Sequence, residues 1–252
     1  MKNIFKLFSY KYNFLIIIAT ILTINIIGIG VAFANIEKSS QDQKVVGEKT
    51  EGQKFTPSQI NSAKVLIEQI CSKISAINLN QKLTQPKKIE QISNIINSNV
   101  DAEWIARFIL GKNYRTMTEE QKVSFINTYQ NFLINTYSPK MQKFSDNKFT
   151  ILSAVDSGKF ITVKTEFTLK DNTKPIVEFR VKSKNSANEK LQELVIIDFV
   201  TEGISFIETQ RSEFGSAIAK DGVEKFLLNL IAKTKMLKIK ETNNLEQSKA
   251  KN

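Results

Sequence analysis

The side chains that usually carry covalent chemistry are nearly missing from this chain. There is no histidine among its 252 residues. That removes the commonest general base, the Ser–His and Cys–His nucleophile pairs, and the commonest zinc ligand. Cys71 is the only cysteine, so no intramolecular disulfide exists. It falls at apolar helical spacing with Val65, Leu66, Ile70 and Ile74, where a thiol serves as a small buried hydrophobe. Gly28-Ile29-Gly30 lies inside an N-terminal apolar segment and the other glycines are scattered, so no phosphate-cradling loop is present. Carboxylates remain for acid–base work, yet no pair of them announces itself. The sequence therefore assigns no catalytic residue, no metal ligand and no cofactor, and is read as a non-enzyme.

Charged groups are more suggestive of binding. Asp198 interrupts the apolar run Leu194 to Val200 and needs a partner if it is buried; Arg211 is the candidate, with a surface aspartate as the alternative. Arg107 and Arg115 meet either a phosphate, a partner protein or solvent. The formal net charge is +11. Such a balance favours anionic partners, nucleic acid or anionic lipid surfaces. Most lysines are spread along the chain, as on a solvated surface.

The N-terminus decides between those partners. Lys2, Lys6 and Lys11 form a basic leader, Phe14 to Val31 is largely apolar, and Ala32-Phe33-Ala34 offers small residues where a signal peptidase reads them. Residues 1–34 are thus expected to be a cleaved signal peptide. An uncleaved membrane anchor is the competing reading, because the apolar stretch is almost long enough to span. Export argues against nucleic acid. The leader holds three lysines and no acid, so the mature chain carries +8 on 218 residues. That length supports one domain with flexible ends.

Residues 35–55 are polar and read as a disordered lead-in, and residues 233–252 as a disordered basic tail. The folded domain then runs over 56–232, helical in its first half. Thr56-Pro57-Ser58-Gln59 and Thr118-Glu119-Glu120-Gln121 are capping boxes, and Gly111 and Pro139 mark helix ends. The second half turns to period two. Phe167, Val177, Phe179 and Val181 alternate with Glu166, Glu178, Arg180 and Lys182, one dry face and one wet, in an antiparallel meander of about four strands. Ser205-Phe206-Ile207-Glu208 is a third capping box, and Gly222 breaks the helix that follows. This is an α+β plan. The helix from Glu119 to Tyr137 carries apolar residues over a very wide arc, so either two neighbours cover it or part of it faces a cavity. Trp104 and Phe108 are core or wall on the same reasoning.

Two blocks resemble a known family. The first is Val100-Asp101, Ile105-Ala106-Arg107-Phe108-Ile109-Leu110-Gly111 and Tyr114-Arg115, continuing through Thr118, Phe125, Phe132-Leu133 and Tyr137. The second is Ile197 to Ser205, followed by Arg211-Ser212-Glu213-Phe214 and the Gly222-Val223 helix. In order and spacing they are similar to the Ttg2/MlaC family of exported phospholipid-binding proteins. Tyr114 stands where the family often has tryptophan. The resemblance implies an NTF2-like α+β fold with an apolar pocket between sheet and helices. It implies a periplasmic carrier whose cargo is phospholipid, tails buried, for an Mla-type ABC transport system. The partners it implies are the inner-membrane transporter complex and an outer-membrane lipoprotein. Combined with position, it makes Phe125, Tyr129, Phe132, Phe167, Phe179, Ile197, Phe206 and Phe214 the expected lipid-binding wall. The alternative is a membrane-anchored envelope interaction protein without lipid cargo.

The exported form is expected to begin at Asn35. Intact-mass measurement of the released protein checks this, and an intact Met1 terminus in the membrane fraction would refute it.

Overall fold

The computed structural model describes residues 55–142, 148–169, 172–184 and 193–249. The expected signal peptide and nearly all of the expected lead-in lie outside them. Five helices come first: α1 (Pro57–Leu79), α2 (Gln85–Asn99), α3 (Ala102–Leu110), α4 (Lys112–Thr116) and α5 (Glu119–Gln142). Then follow β1 (Lys148–Asp156), β2 (Ile161–Thr168), β3 (Ile176–Ser183), β4 (Leu194–Thr201) and β5 (Ile204–Ser205), and finally α6 (Phe206–Lys249). The α+β plan holds, with one short strand more than expected. Among the described residues no helix is long and apolar enough to cross a membrane.

Local chemistry explains the helix starts. The Thr56 hydroxyl accepts from the Gln59 amide at 3.2 Å, while Gln59 Oε1 accepts from the Thr56 amide at 2.8 Å. Thr118 and Gln121 repeat the exchange at 3.2 and 3.0 Å. Asp101 caps α3 by accepting from Trp104 N at 3.0 Å. Gly111 follows α3 at φ +52, and a Cβ there would stand 3.1 Å from an Arg211 guanidinium nitrogen. Both the backbone and the close approach demand glycine. Pro139 does not stop α5, which runs to Gln142; so near the helix end a proline costs little of the hydrogen-bond ladder.

The sheet is an antiparallel meander in sequence order. Its register separates the faces. Val163, Phe179 and Phe199 lie opposite one another on the dry face, whereas Lys164 pairs with Glu178 at 2.9 Å on the other. α1 lies against the dry face, where Ala63 and Ile67 form a core with Ile161, Val163, Val181 and Ile196. Glu202 and Gly203 both have positive φ in the β4–β5 turn, as a two-residue hairpin requires. Bulges interrupt the β1–β2 and β3–β4 ladders, which bends the strands involved.

Asp198 is buried, at 1 % exposure, but its partner is not Arg211. Its carboxylate accepts from Arg180 at 3.0 Å, from the Ser205 hydroxyl at 2.7 Å and from the Ile207 amide at 3.1 Å. Arg180 faces Asp198 directly across β3 and β4, so register delivers it. Arg211 lies one turn up α6 and stacks over Phe108 at 5.0 Å. Ser205 accepts from the Glu208 amide while donating to Asp198, so the third cap takes its acid from β4.

The tail reading needs correction too. α6 breaks at Gly222 (φ 79, ψ 165) and then continues helical to Lys249. Lysine, glutamate, leucine and alanine favour helix even without a sustained apolar stripe. Thr234 is buried, and its carbonyl accepts from Asn135 at 3.3 Å, so the fold extends past residue 232.

Replacing Asp198 with alanine leaves the Ser205 hydroxyl, the Ile207 amide and Arg180 without their acceptor. The expected cost is about 2–4 kcal/mol, read as a lowered urea midpoint at unchanged slope.

Candidate functional site

The eight expected wall residues fall into two groups. Phe125, Tyr129 and Phe132 of α5 meet Phe214 of α6, together with Phe226, which sequence reasoning missed. Phe125 stacks on Tyr129 at 5.6 Å and meets Phe214 edge-on at 6.2 Å; Phe226 closes the set at 5.1 Å from Phe214. The Tyr129 hydroxyl donates a hydrogen bond to Gln210 Oε1 at 2.6 Å. All of these rings are essentially without exposure. They contact each other, so this is a closed core between α5 and the two arms of α6. Most of the wide apolar arc of α5 is thereby covered by neighbours, both arms of α6 on one side and α2 through Ser93–Ser138 on another, while Val123 near its start is exposed.

The second group belongs to the sheet. Phe179 and Phe199 are cross-strand partners on the dry face, and both are only half-buried. Phe199 stacks on Phe206 at 4.6 Å, and Tyr137 meets both rings edge-on. Phe167 pairs with Phe149 at 6.5 Å further out on the same sheet, both half-buried as well. Ile197 is the residue left unpaired at the β4 bulge and is buried. Leu66, Ile70 and Cys71 of α1 are half-buried beside the core that includes this face. Aromatics on a dry face that remain partly open to solvent differ from the α5–α6 rings in kind. Among the described residues they are covered only in part, Phe179 by the core under α1 and Phe199 by Phe206 and Tyr137. Sequence reasoning missed Phe199 and Tyr137. The bulge sets which β4 residue opposes Phe179, and no pattern in one strand reveals that.

Electrostatics near the junction of the two groups is unusual. Burial pushes the Glu213 carboxyl up to about 7, with Lys233 opposing the shift. Burial also lowers the Lys233 ammonium, which lies over the Phe132 ring at 6.0 Å and whose nitrogen is buried without a hydrogen-bond partner. Tyr137, whose hydroxyl is likewise buried and unpartnered, is held strongly protonated by burial and then by Glu213. Cys71 is pushed to about 12 by burial, so its thiol is a packing group and not a nucleophile. Trp104 and Phe108 stack at 5.3 Å under Lys182 and Arg211, half-exposed at the surface. Arg107 is exposed and lies over Tyr114 at 5.6 Å, and Arg115 is exposed.

Because the folded state binds the Glu213 proton more tightly than an ordinary carboxyl, its contribution to stability is full below about 4.5. It is lost as pH rises through about 7. Glu213→Gln is therefore expected to flatten the fall in urea midpoint over that window, and wild-type and variant midpoints measured at both ends check it.

Comparison with known proteins adds three findings. The family model described as MlaC protein matches residues 64–232. The chain is similar to the intermembrane phospholipid transport system binding protein MlaC of Haemophilus influenzae, 25 % identical over 172 residues that cover 66 % of this chain and 79 % of that one. It is similar in fold to a phospholipid-binding protein from Ralstonia solanacearum, solved in complex with a phospholipid. That likeness has a TM-score of 0.56 at 14 % identity and covers 70 % of this chain and 97 % of that one.

Proposed function

The chain belongs to the MlaC protein family, and from that premise we propose that it is an exported carrier that binds phospholipid with the acyl tails against the dry face of its sheet. The observation that carries this reading is the half-buried aromatic strip of Phe167, Phe179 and Phe199, bordered by Phe206 and Tyr137. Large aromatic side chains left partly open on an otherwise dry face mark a place for an apolar ligand. The Haemophilus relative's name and the lipid-bound Ralstonia structure support the choice of ligand.

The physical need for a carrier is large. Exposing acyl chains costs about 0.8 kcal/mol per methylene, so two chains of roughly fifteen cost on the order of 20 kcal/mol. Free diffusion through water is negligible against that barrier. A protein surface of similar apolarity removes it without covalent chemistry, and this chain offers no histidine and one inert thiol. In this reading the lipid moves between the two membranes of the envelope. It is exchanged with an Mla-type transporter complex of the inner membrane and a lipoprotein of the outer membrane. The protein itself works in the periplasm after its leader is removed.

Two substitutions test the site. Phe179→Asp puts a carboxylate where water already reaches, so the protein is expected to fold and to lose its co-purified phospholipid, measured by solvent extraction and mass spectrometry. Phe214→Asp buries the same charge in the closed ring cluster, and is expected to cost several kcal/mol and to unfold the domain. A folded Phe179→Asp protein with a full complement of lipid would place the ligand elsewhere.

A further inference from the structure

The arm of α6 beyond Gly222 has two faces of opposite character. Phe226, Leu227, Leu230 and Thr234 are buried inward. On the outside, Leu228, Met236 and Ile239 are 61 %, 68 % and 59 % exposed, the three most exposed large hydrophobics among the described residues. Their spacing of eight and then three residues, with Ala232 between, puts them in one stripe along the helix. Exposed lysines accompany it: Lys235 at its edge, Lys238 on one side and Lys240 on the other, with Lys225 inside the stripe and paired to Asp221 at 3.0 Å. Glu224 is exposed on this face as well. Beyond Thr234 the helix runs on to Lys249, about 20 Å at 1.5 Å per residue.

We propose that this outer stripe is a docking surface for an anionic lipid bilayer. The pattern is apolar at its centre and lysine at its rim. An interfacial helix needs that arrangement, because apolar side chains enter the acyl boundary while lysine stems run alongside them and place ammonium groups at the phosphates. The complementary charge selects an anionic surface over a neutral one. The stripe is narrow and lies on the far side of the arm from the ring cluster, so docking leaves the packed core and the aromatic strip of the sheet unchanged. The inference deepens the carrier reading by giving the protein its own hold on the membrane where lipid is exchanged.

Flotation with vesicles tests it, using the exported protein in the form the cell releases. Wild-type protein is expected to float with vesicles of phosphatidylethanolamine and phosphatidylglycerol, to bind vesicles of phosphatidylcholine far less, and to be released by salt. A triple variant, Leu228→Ser with Met236→Ser and Ile239→Ser, and a second, Lys235→Glu with Lys238→Glu and Lys240→Glu, are each expected to lose about tenfold or more in affinity. The serine variant is expected to keep the wild-type thermal midpoint, since these side chains lie outside the packed core. Equal flotation of wild type and both variants overturns the proposal, as does absence of wild-type flotation. A dimer in sedimentation velocity that the serine variant abolishes overturns it in favour of a second copy on the stripe. Co-purified phospholipid is measured in parallel. Lipid-loaded variants that no longer float support the docking surface, whereas a wild type that floats but carries no lipid refutes the carrier reading and leaves the docking surface standing.

Discussion

A single buried carboxylate ties the parts of this fold together. Asp198 sits on β4, and its oxygens reach β3 through Arg180, β5 through Ser205 and the first turn of α6 through the Ile207 amide. Burial raises its pKa, and the contacts from Ser205, Ile207 and Arg180 oppose that rise. A charge this deep is tolerable only when every lone pair is used. The angle at which α6 leaves the sheet is therefore fixed by chemistry on the sheet itself. Everything that α6 then organises follows: the stack of Phe206 on Phe199, the contact of Tyr129 with Gln210, and the ring cluster around Phe214.

The two aromatic groups differ in how far their neighbours cover them. Phe125, Tyr129, Phe132, Phe214 and Phe226 satisfy one another and leave no face open. Phe167, Phe179 and Phe199 leave apolar area partly in water, which a folded domain gives up at a cost in stability. Tyr137 stands at the boundary, edge-on to Phe199 and Phe206 and within the field of Glu213. For the carrier role proposed above, a packed helical core beside a partly exposed aromatic strip suits a flexible ligand, since the ligand need not order the protein in order to bind.

Much of this was legible in the sequence, and the failures have a common cause. Capping boxes at Thr56 and Thr118 and the alternation through β2 and β3 are local signals, and the structure places them where local chemistry demands. Asp198 was legible as a residue in need of a partner, but Arg180 was not legible as that partner. The choice between it and Arg211 depends on register across a bulge. The same bulge hid Phe199. The eight aromatic and aliphatic positions taken from the sequence as one wall are split by the structure between a helix–helix core and a sheet face. Hydrophobic spacing reports that a side chain avoids water, and is silent on which neighbour shields it. The helix after Lys233 was missed because it arises from residue propensity and not from an apolar stripe facing the core.

The bulge in β1 has a consequence for the behaviour of many copies at once. β1 is an outer strand, and among the described residues no strand pairs with its outer edge. A straight outer strand offers a row of unsatisfied amides and carbonyls, onto which a strand from another molecule can add, and then another. Here the ladder slips between Ile151 and Ser153, leaving Leu152 turned outward and the row out of phase with any regular incoming strand. A sheet that also carries partly exposed aromatic rings has most to lose from such growth, and one extra residue in this outer strand makes that edge a poor seed.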